Sequence, residues 1–325
     1  MNFEVNRDQC IKIGQYLKIN RKNPDQYYKF DNPKEHPDIN IDVDVLSNFY
    51  GAVVNIDHHF WRINGNEMIL DYGIIEGERI KGATYLWRKS KAMFDEDPEF
   101  FESENLKNIS HEQFEKWLKD DTGNIPIYDP ERRFMLTRNF GEFLLKYYDG
   151  NFYEIYKSSH YLLINNGVGF LERCEIFDGY RDSALYKKAN LVAKIMERRG
   201  LWKFEDPINK TPPIDYHLQN VAIKSGMVVI NSDEIKRKIR NKEFLNLNEE
   251  LGLRLACKDV YRIICEISKI DPYYLDDDVW NEGRKHCQFE PPNCENAFLA
   301  SVCLANTSNP ELKEYAMPLV DTWRY

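Results

Sequence analysis

The chain has 325 residues, 42% of them hydrophobic and 14% aromatic, enough for one large packed core or two smaller ones and far too apolar for a disordered polypeptide. With 44 Lys and Arg against 53 Asp and Glu, the formal net charge is −9. That balance withholds the general attraction behind most non-specific duplex binding and favours a nucleotide-sized ligand, or DNA held by one local basic face.

Residues 1–50 mix polar and apolar positions, and the Pro-, Asn- and Asp-rich stretch from Asn20 to Asp44 reads as a long loop. Gly51 to Tyr72 is the one convincing β region, with Val53-Val54 and Met68-Ile69-Leu70 flanking an Asn64-Gly65 turn. Beyond Gly82 the pattern turns helical. Ser110 and Gln113 form a capping box ahead of Phe114, Trp117 and Leu118, and Gly123 ends that helix. Asp129-Pro130 opens a helix through Phe134, Phe140, Phe143, Leu144 and Tyr147, closed by Gly150. Leu185, Ala189, Val192 and Met196 share one face of a helix ending at Gly200. Another starts near Asp215, carries Leu218, Val221 and Ala222, and stops at Gly226; two more cover Glu234–Lys242 and Leu255–Ile267. The chain therefore reads as mainly α with a small β-hairpin region near the front. The best candidate boundary divides residues 1–167 from 168–325.

No window holds the roughly 18–20 apolar residues that cross a bilayer, and Met1 to Asp8 lacks the layout of a secretory signal. An odd count of 7 cysteines fits reduced thiols, so a cytoplasmic setting without membrane association is expected. Cys10, Cys174, Cys257 and Cys265 read as small core hydrophobes. Nothing in the sequence speaks to oligomeric state.

Three stretches could carry chemistry. In Pro213-Ile214-Asp215-Tyr216-His217-Leu218, Asp215 is at least a helix cap. Gly179-Tyr180-Arg181-Asp182 precedes Tyr186-Lys187-Lys188-Ala189-Asn190, and its lysine pair, taken alone, reads as a solvated face. Near the end, Cys287, Cys294 and Cys303 fall in the pattern Cys-x6-Cys-x2-Ala-x5-Cys, with Ala297 at the third place. Thiolates at such spacing suit a metal or cluster.

In their order and rough spacing these stretches resemble the helix-hairpin-helix DNA glycosylases. Those proteins carry a Lys-x-Ala-Asn turn, a Pro-Val-Asp-x-His-Val segment with the catalytic aspartate, and in some members a four-cysteine loop holding a 4Fe-4S cluster. A second resemblance covers more of the chain. Asn55-Ile56-Asp57-His58-His59-Phe60-Trp61, Gly82-Ala83-Thr84-Tyr85-Leu86-Trp87, Ile125-Pro126-Ile127 through Arg132, Tyr180-Arg181-Asp182 with Tyr186-Lys187-Lys188-Ala189, and Ile214-Asp215-Tyr216 resemble, in order, blocks of the queuosine salvage family of queuosine 5′-phosphate N-glycosidases. His217 departs from that family's arginine, and the cysteine loop is foreign to it.

These resemblances imply a helical glycosylase-like fold with a helix-hairpin-helix and cleavage of an N-glycosidic bond. Asp215 would steady the positive charge that develops on the sugar and orient the attacking water. Lys187 would form a Schiff base or, with Lys188, hold a phosphate. Asn55, Asp57, Phe60, Trp61, Arg181, Lys188, Tyr216 and His217 would bind substrate, although aromatic residues after a strand are usually core. His58 and His59 are assigned no metal. The reaction requires no cofactor; a 4Fe-4S cluster on Cys287, Cys294 and Cys303 lacks its fourth thiolate at Ala297. The expected partner is a small nucleotide or nucleoside. Damaged DNA, contacted through Arg88, Lys89, Lys91, Lys236, Arg237, Lys238 and Arg240, is the alternative, and a non-catalytic binding protein on the same fold the second.

Overall fold

Local capping chemistry sets where most helices begin. In the computed structural model, which describes residues 2–64, 67–182 and 184–324, the elements follow in chain order. Strand β1 (Phe3–Val5) and helices α1 (Arg7–Asn20) and α2 (Val43–Asn55) come first. Strands β2 (Trp61–Asn64), β3 (Glu67–Leu70), β4 (Tyr72–Ile75) and β5 (Glu78–Lys81) follow. Then come α3 (Gly82–Glu96), α4 (Ser103–Asn108), α5 (His111–Leu118), α6 (Pro130–Tyr147), α7 (Phe152–Ser158), α8 (Phe170–Cys174) and α9 (Lys187–Arg198). The last are α10 (Tyr216–Lys224), β6 (Val228–Ile230), α11 (Asp233–Arg240), α12 (Leu247–Ser268), α13 (Pro272–Glu282) and α14 (Leu304–Thr307). The fold is mainly helical with small antiparallel strand pairs, as the sequence predicts.

The described residues divide into two units, each discontinuous in sequence. One joins Met1–Tyr28 to Lys210–Asp321, and the other joins Lys29–Asn209 to Thr322–Tyr325. The sequence reading instead divides the chain once, after residue 167. In the first unit, α1 packs on the long α12, and β1 pairs antiparallel with β6 through Phe3↔Ile230 and Val5↔Val228. Its core includes Cys10, Ile13, Leu17, Leu218, Val221, Leu253, Cys257, Tyr261 and Ile264. The second unit is unusually aromatic inside: Phe49, Trp87, Phe94, Phe101, Trp117, Phe140, Phe152, Phe177 and Trp202 are all buried. Edge-on pairs such as Phe49–Phe101 (5.0 Å) and Phe101–Trp117 (5.5 Å) have the geometry that ring quadrupoles favour.

The Ser110 capping box and the Asp129 cap stand where the sequence puts them. Three readings change. Val53 and Val54 lie in α2, not in a strand; every residue from Gly51 to Asn55 is buried, and a helix covered on all sides shows no period to read. Helix α12 starts at Leu247, eight residues before the expected Leu255, because Asn246 and Glu249 close a capping box there. The β region comprises two hairpins, β2–β3 and β4–β5, and the first closes at Asn64↔Glu67. Gly65 of its expected turn lies outside the described residues. Among the described residues no helix is long and apolar enough to cross a membrane.

Candidate functional site

In the second unit the candidate residues gather where α2 ends and α9 begins. Helix α2 stops at Asn55, whose side chain is fully buried. Its Nδ2 donates to the Leu136 carbonyl on α6 at 2.9 Å, and its backbone carbonyl accepts from Lys188 Nζ at 2.7 Å. Gly179 is required beside it, since a Cβ there would stand 2.1 Å from Asn55 Oδ1. Asn55 therefore ties three elements together.

The next four residues wrap around one side chain. Arg133 of α6 is wholly buried; its guanidinium donates to the carbonyls of Tyr128 (2.9 Å), Ile56, His58 and His59 (3.1 Å) and lies 5.0 Å from the centre of the Phe60 ring. Peptide carbonyls and an aromatic face thus surround this charge. The wrap puts His59 at φ +46° and sets its ring, tilted, 3.9 Å from that of Trp61 and 4.8 Å from that of Tyr128. Phe60 and Trp61 are both buried, as the core reading of these aromatics expects.

His58 is buried, and neither of its ring nitrogens has a hydrogen-bond partner among the described residues. Burial, reinforced by Arg133 and Lys188, holds its pKa well below the ordinary histidine value. His59 is likewise pushed down to about 4 by burial and Arg133. Both rings are neutral at pH 7, so His58 offers one donor and one acceptor that the protein leaves unused. Asp57 beside it is only 7% exposed and makes no side-chain hydrogen bond among the described residues.

Lys187 and Lys188 are not on a solvated face. They are 7% and 1% exposed, at the first two positions of α9. No side chain of Tyr186 caps this helix; it enters at φ +51°, and the Asp182 carboxylate accepts from the Lys187 amide at 3.1 Å instead. Burial and then the neighbouring Lys187 ammonium drive the Lys188 pKa well below the ordinary lysine value, against the pull of Asp57 and Asp182. A helix start is the positive end of the backbone dipole, an unfavourable place for two buried lysines. The arrangement suits an anion. Arg181 differs: it pairs with Asp178 at 2.8 Å and its side chain is 60% exposed.

In the first unit, Asp215 is the N-cap of α10 and only 8% exposed. Its Oδ1 accepts from the amides of His217 (2.8 Å) and Leu218 (3.0 Å), so the capping role is met in full. Tyr216 is half-buried with its ring 4.6 Å from that of His217, which in turn meets Trp280 edge-on at 5.8 Å. Gly283 closes over this corner, where a Cβ would meet His217 Cβ at 2.9 Å.

The three loop thiols lie near α10. Lys224 Nζ and Asn220 Nδ2 both donate to the Cys287 carbonyl, at 2.6 and 3.0 Å, and Cys303 Sγ contacts the Lys224 carbonyl at 3.4 Å. Burial pushes the Cys287 thiol up to about 12, against the Lys224 ammonium. Among the described residues no group of three or more His, Cys, Asp or Glu side chains stands ready to hold a metal ion. With Ala297 in the third place, the loop offers three thiols where a 4Fe-4S cluster takes four.

Sequence reasoning missed Arg133, Arg254 and Tyr261. Arg254 is fully buried on α12; it pairs with Glu250 at 3.3 Å and its Nε donates to the Ile214 carbonyl at 3.3 Å. Tyr261 donates to the Leu218 carbonyl at 2.6 Å. The usable signal was periodicity: Arg133 shares a face with Thr137, Phe140 and Leu144, and Arg254 with Cys257, Tyr261 and Ile264. A charged residue inside an apolar stripe needs a partner, and here each finds backbone carbonyls.

Comparison with curated proteins finds no match. Residues 47–270, about two thirds of the chain, match the family model described as queuosine salvage protein. The matched segment takes in Asn55 to Trp61, the Lys187-Lys188 pair and Asp215 to His217, and ends before the cysteine loop. The chain belongs to the queuosine salvage protein family.

Proposed function

We propose that this protein hydrolyses the base–sugar bond of a modified purine or deazapurine nucleotide of the queuosine 5′-phosphate kind. Membership of the queuosine salvage family supports a role in that salvage and an enzymatic one. The observation that carries the finer reading is the pair of buried lysines at the positive end of α9, with the unpartnered His58 ring and Asp57 in the same unit. In this reading Lys187 and Lys188 take the 5′-phosphate as point charges, while Asp57 and His58 hydrogen-bond the heterocycle.

For the cleavage step the family resemblance implies a carboxylate, and Asp215 is its candidate. As the C1′–N bond breaks, positive charge grows on the sugar, and a carboxylate beside C1′ stabilises it. A water oxygen then bonds to C1′; one water proton is lost to the carboxylate or to solvent, and the departing base gains a proton. No step draws on a cluster or metal.

Duplex DNA is the less favoured substrate. Of the cations expected to meet its phosphates, Arg88, Lys91, Lys236, Arg237, Lys238 and Arg240 are each paired with a carboxylate of their own unit. Little charge is left to replace counterions. The test is incubation with queuosine 5′-phosphate or with damaged duplex, followed by chromatographic detection of released base. Release from the nucleotide alone is expected. Release from duplex alone, or from neither, overturns the proposal.

A further inference from the structure

Helix α12 carries a buried ion pair that its packing does not require. Arg254 is 0% and Glu250 1% exposed, and the two stand one helical turn apart at 3.3 Å. Taking two charges out of water costs more than such a pair usually returns, and apolar residues of the same volume serve stability as well or better. Its location suggests another use. Arg254 Nε reaches the carbonyl of Ile214, the peptide directly before Asp215. Two turns further along the same face, the Tyr261 hydroxyl holds the carbonyl of Leu218, directly after the two amides that Asp215 caps. α12 thus grips the chain on both sides of the aspartate. Its side chain can turn only about bonds that these two anchors fix at the base.

We infer that Arg254 is a positioning residue for Asp215, fixing the peptide from which the carboxylate springs. The inference rests on the reading of Asp215 given under Proposed function. Glu250 holds the guanidinium in place from one turn away on the same helix, and Tyr261 completes the grip. A misplacement of about 1 Å at such a carboxylate can cost roughly a hundredfold in rate, because the reacting atoms leave the near-attack geometry.

The test compares wild type with R254M, R254K and the double variant E250L/R254M, all in the full chain. Where R254M alone fails to fold, the double variant carries the test, since it removes both members of the ion pair together. Two measurements are made. The first is hydrogen exchange at the His217 and Leu218 amides, which needs no activity. The expected result is at least about tenfold faster exchange in E250L/R254M, with α1 amides unchanged. The second is turnover of queuosine 5′-phosphate, where kcat should fall about a hundredfold with KM within about threefold, and R254K should recover part of the loss. Unchanged exchange at both amides overturns the inference, as does kcat within threefold of wild type. Full activity in D215N would instead remove the reading of Asp215 on which it rests, and the exchange result would stand apart from that failure.

Discussion

Two helices in the segment matched to the family begin in opposite ways. α10 begins as backbone physics prefers, with an anionic side chain accepting from its first free amides and lying at the positive end of the dipole. α9 begins against those preferences. Its entry residue Tyr186 sits in the left-handed region and gives no cap of its own, the Asp182 carboxylate accepting from the Lys187 amide in its place, and its first two residues are buried lysines. A feature that obeys the rules of stability is fully explained by them, so the cap at Asp215 adds nothing by itself to a catalytic reading. A feature that violates them needs another cause. The lysine pair is therefore the more informative of the two starts, although in the sequence it looked the blander.

The sharpest way to break this contrast is D215N. Asparagine caps a helix about as well as aspartate, so stability should change by less than about 0.5 kcal/mol while turnover falls about 10³-fold or more. Thermal unfolding and base release measure the two effects together. Retained turnover would leave Asp215 as a cap only.

The next test departs from the usual sign. Lys187 disfavours the charged form of Lys188, so K187M should leave stability unchanged or raised rather than lowered. The same change should weaken nucleotide binding about tenfold or more. Denaturant midpoints and calorimetric titration check the pair of outcomes. A destabilised variant would mean that Lys187 is bound by something within the fold.

Acidity offers a smaller, continuous probe. His58 and His59 have folded pKa values below the usual 6.5, His59 at about 4, so the unfolded chain takes up protons there and the folded chain does not. Stability is therefore complete above pH 6.5 and falls as pH drops toward 4, by about 1.4 kcal/mol per pH unit for each histidine. H58F and H59F should each flatten that slope in urea titrations run across the window. The smallest expected effect is at the cysteine loop, where a chelator should leave the melting temperature unchanged within about 1 °C.

What could be read in advance followed from how local each cause is. Caps at Ser110, Asp129 and Asp215 are short-range chemistry, and the sequence places them correctly. The helical class followed from period. The β1–β6 pairing joins residues more than 220 positions apart and leaves no local mark. Burial of Lys187 and Lys188 was invisible for a similar reason: consecutive lysines are ordinarily solvated, and only tertiary packing shows otherwise. Asp57 and His58 entered through a family resemblance, whereas Arg133, which shapes their segment, lay one residue past the Arg132 that the resemblance selected. Arg132 itself is an exposed partner of Asp129. The two discontinuous units could not be found by looking for a linker, because the chain enters and leaves each of them through ordinary loops.

The most direct trial of the account is a comparison of kcat/KM for queuosine 5′-phosphate and for the same nucleoside without its phosphate, in wild type and in K187M. A phosphate held by the buried lysine pair predicts a preference of about a hundredfold or more for the phosphate in wild type, some 2.7 kcal/mol, and a preference cut at least tenfold in K187M. Equal efficiency on both substrates in wild type would contradict it.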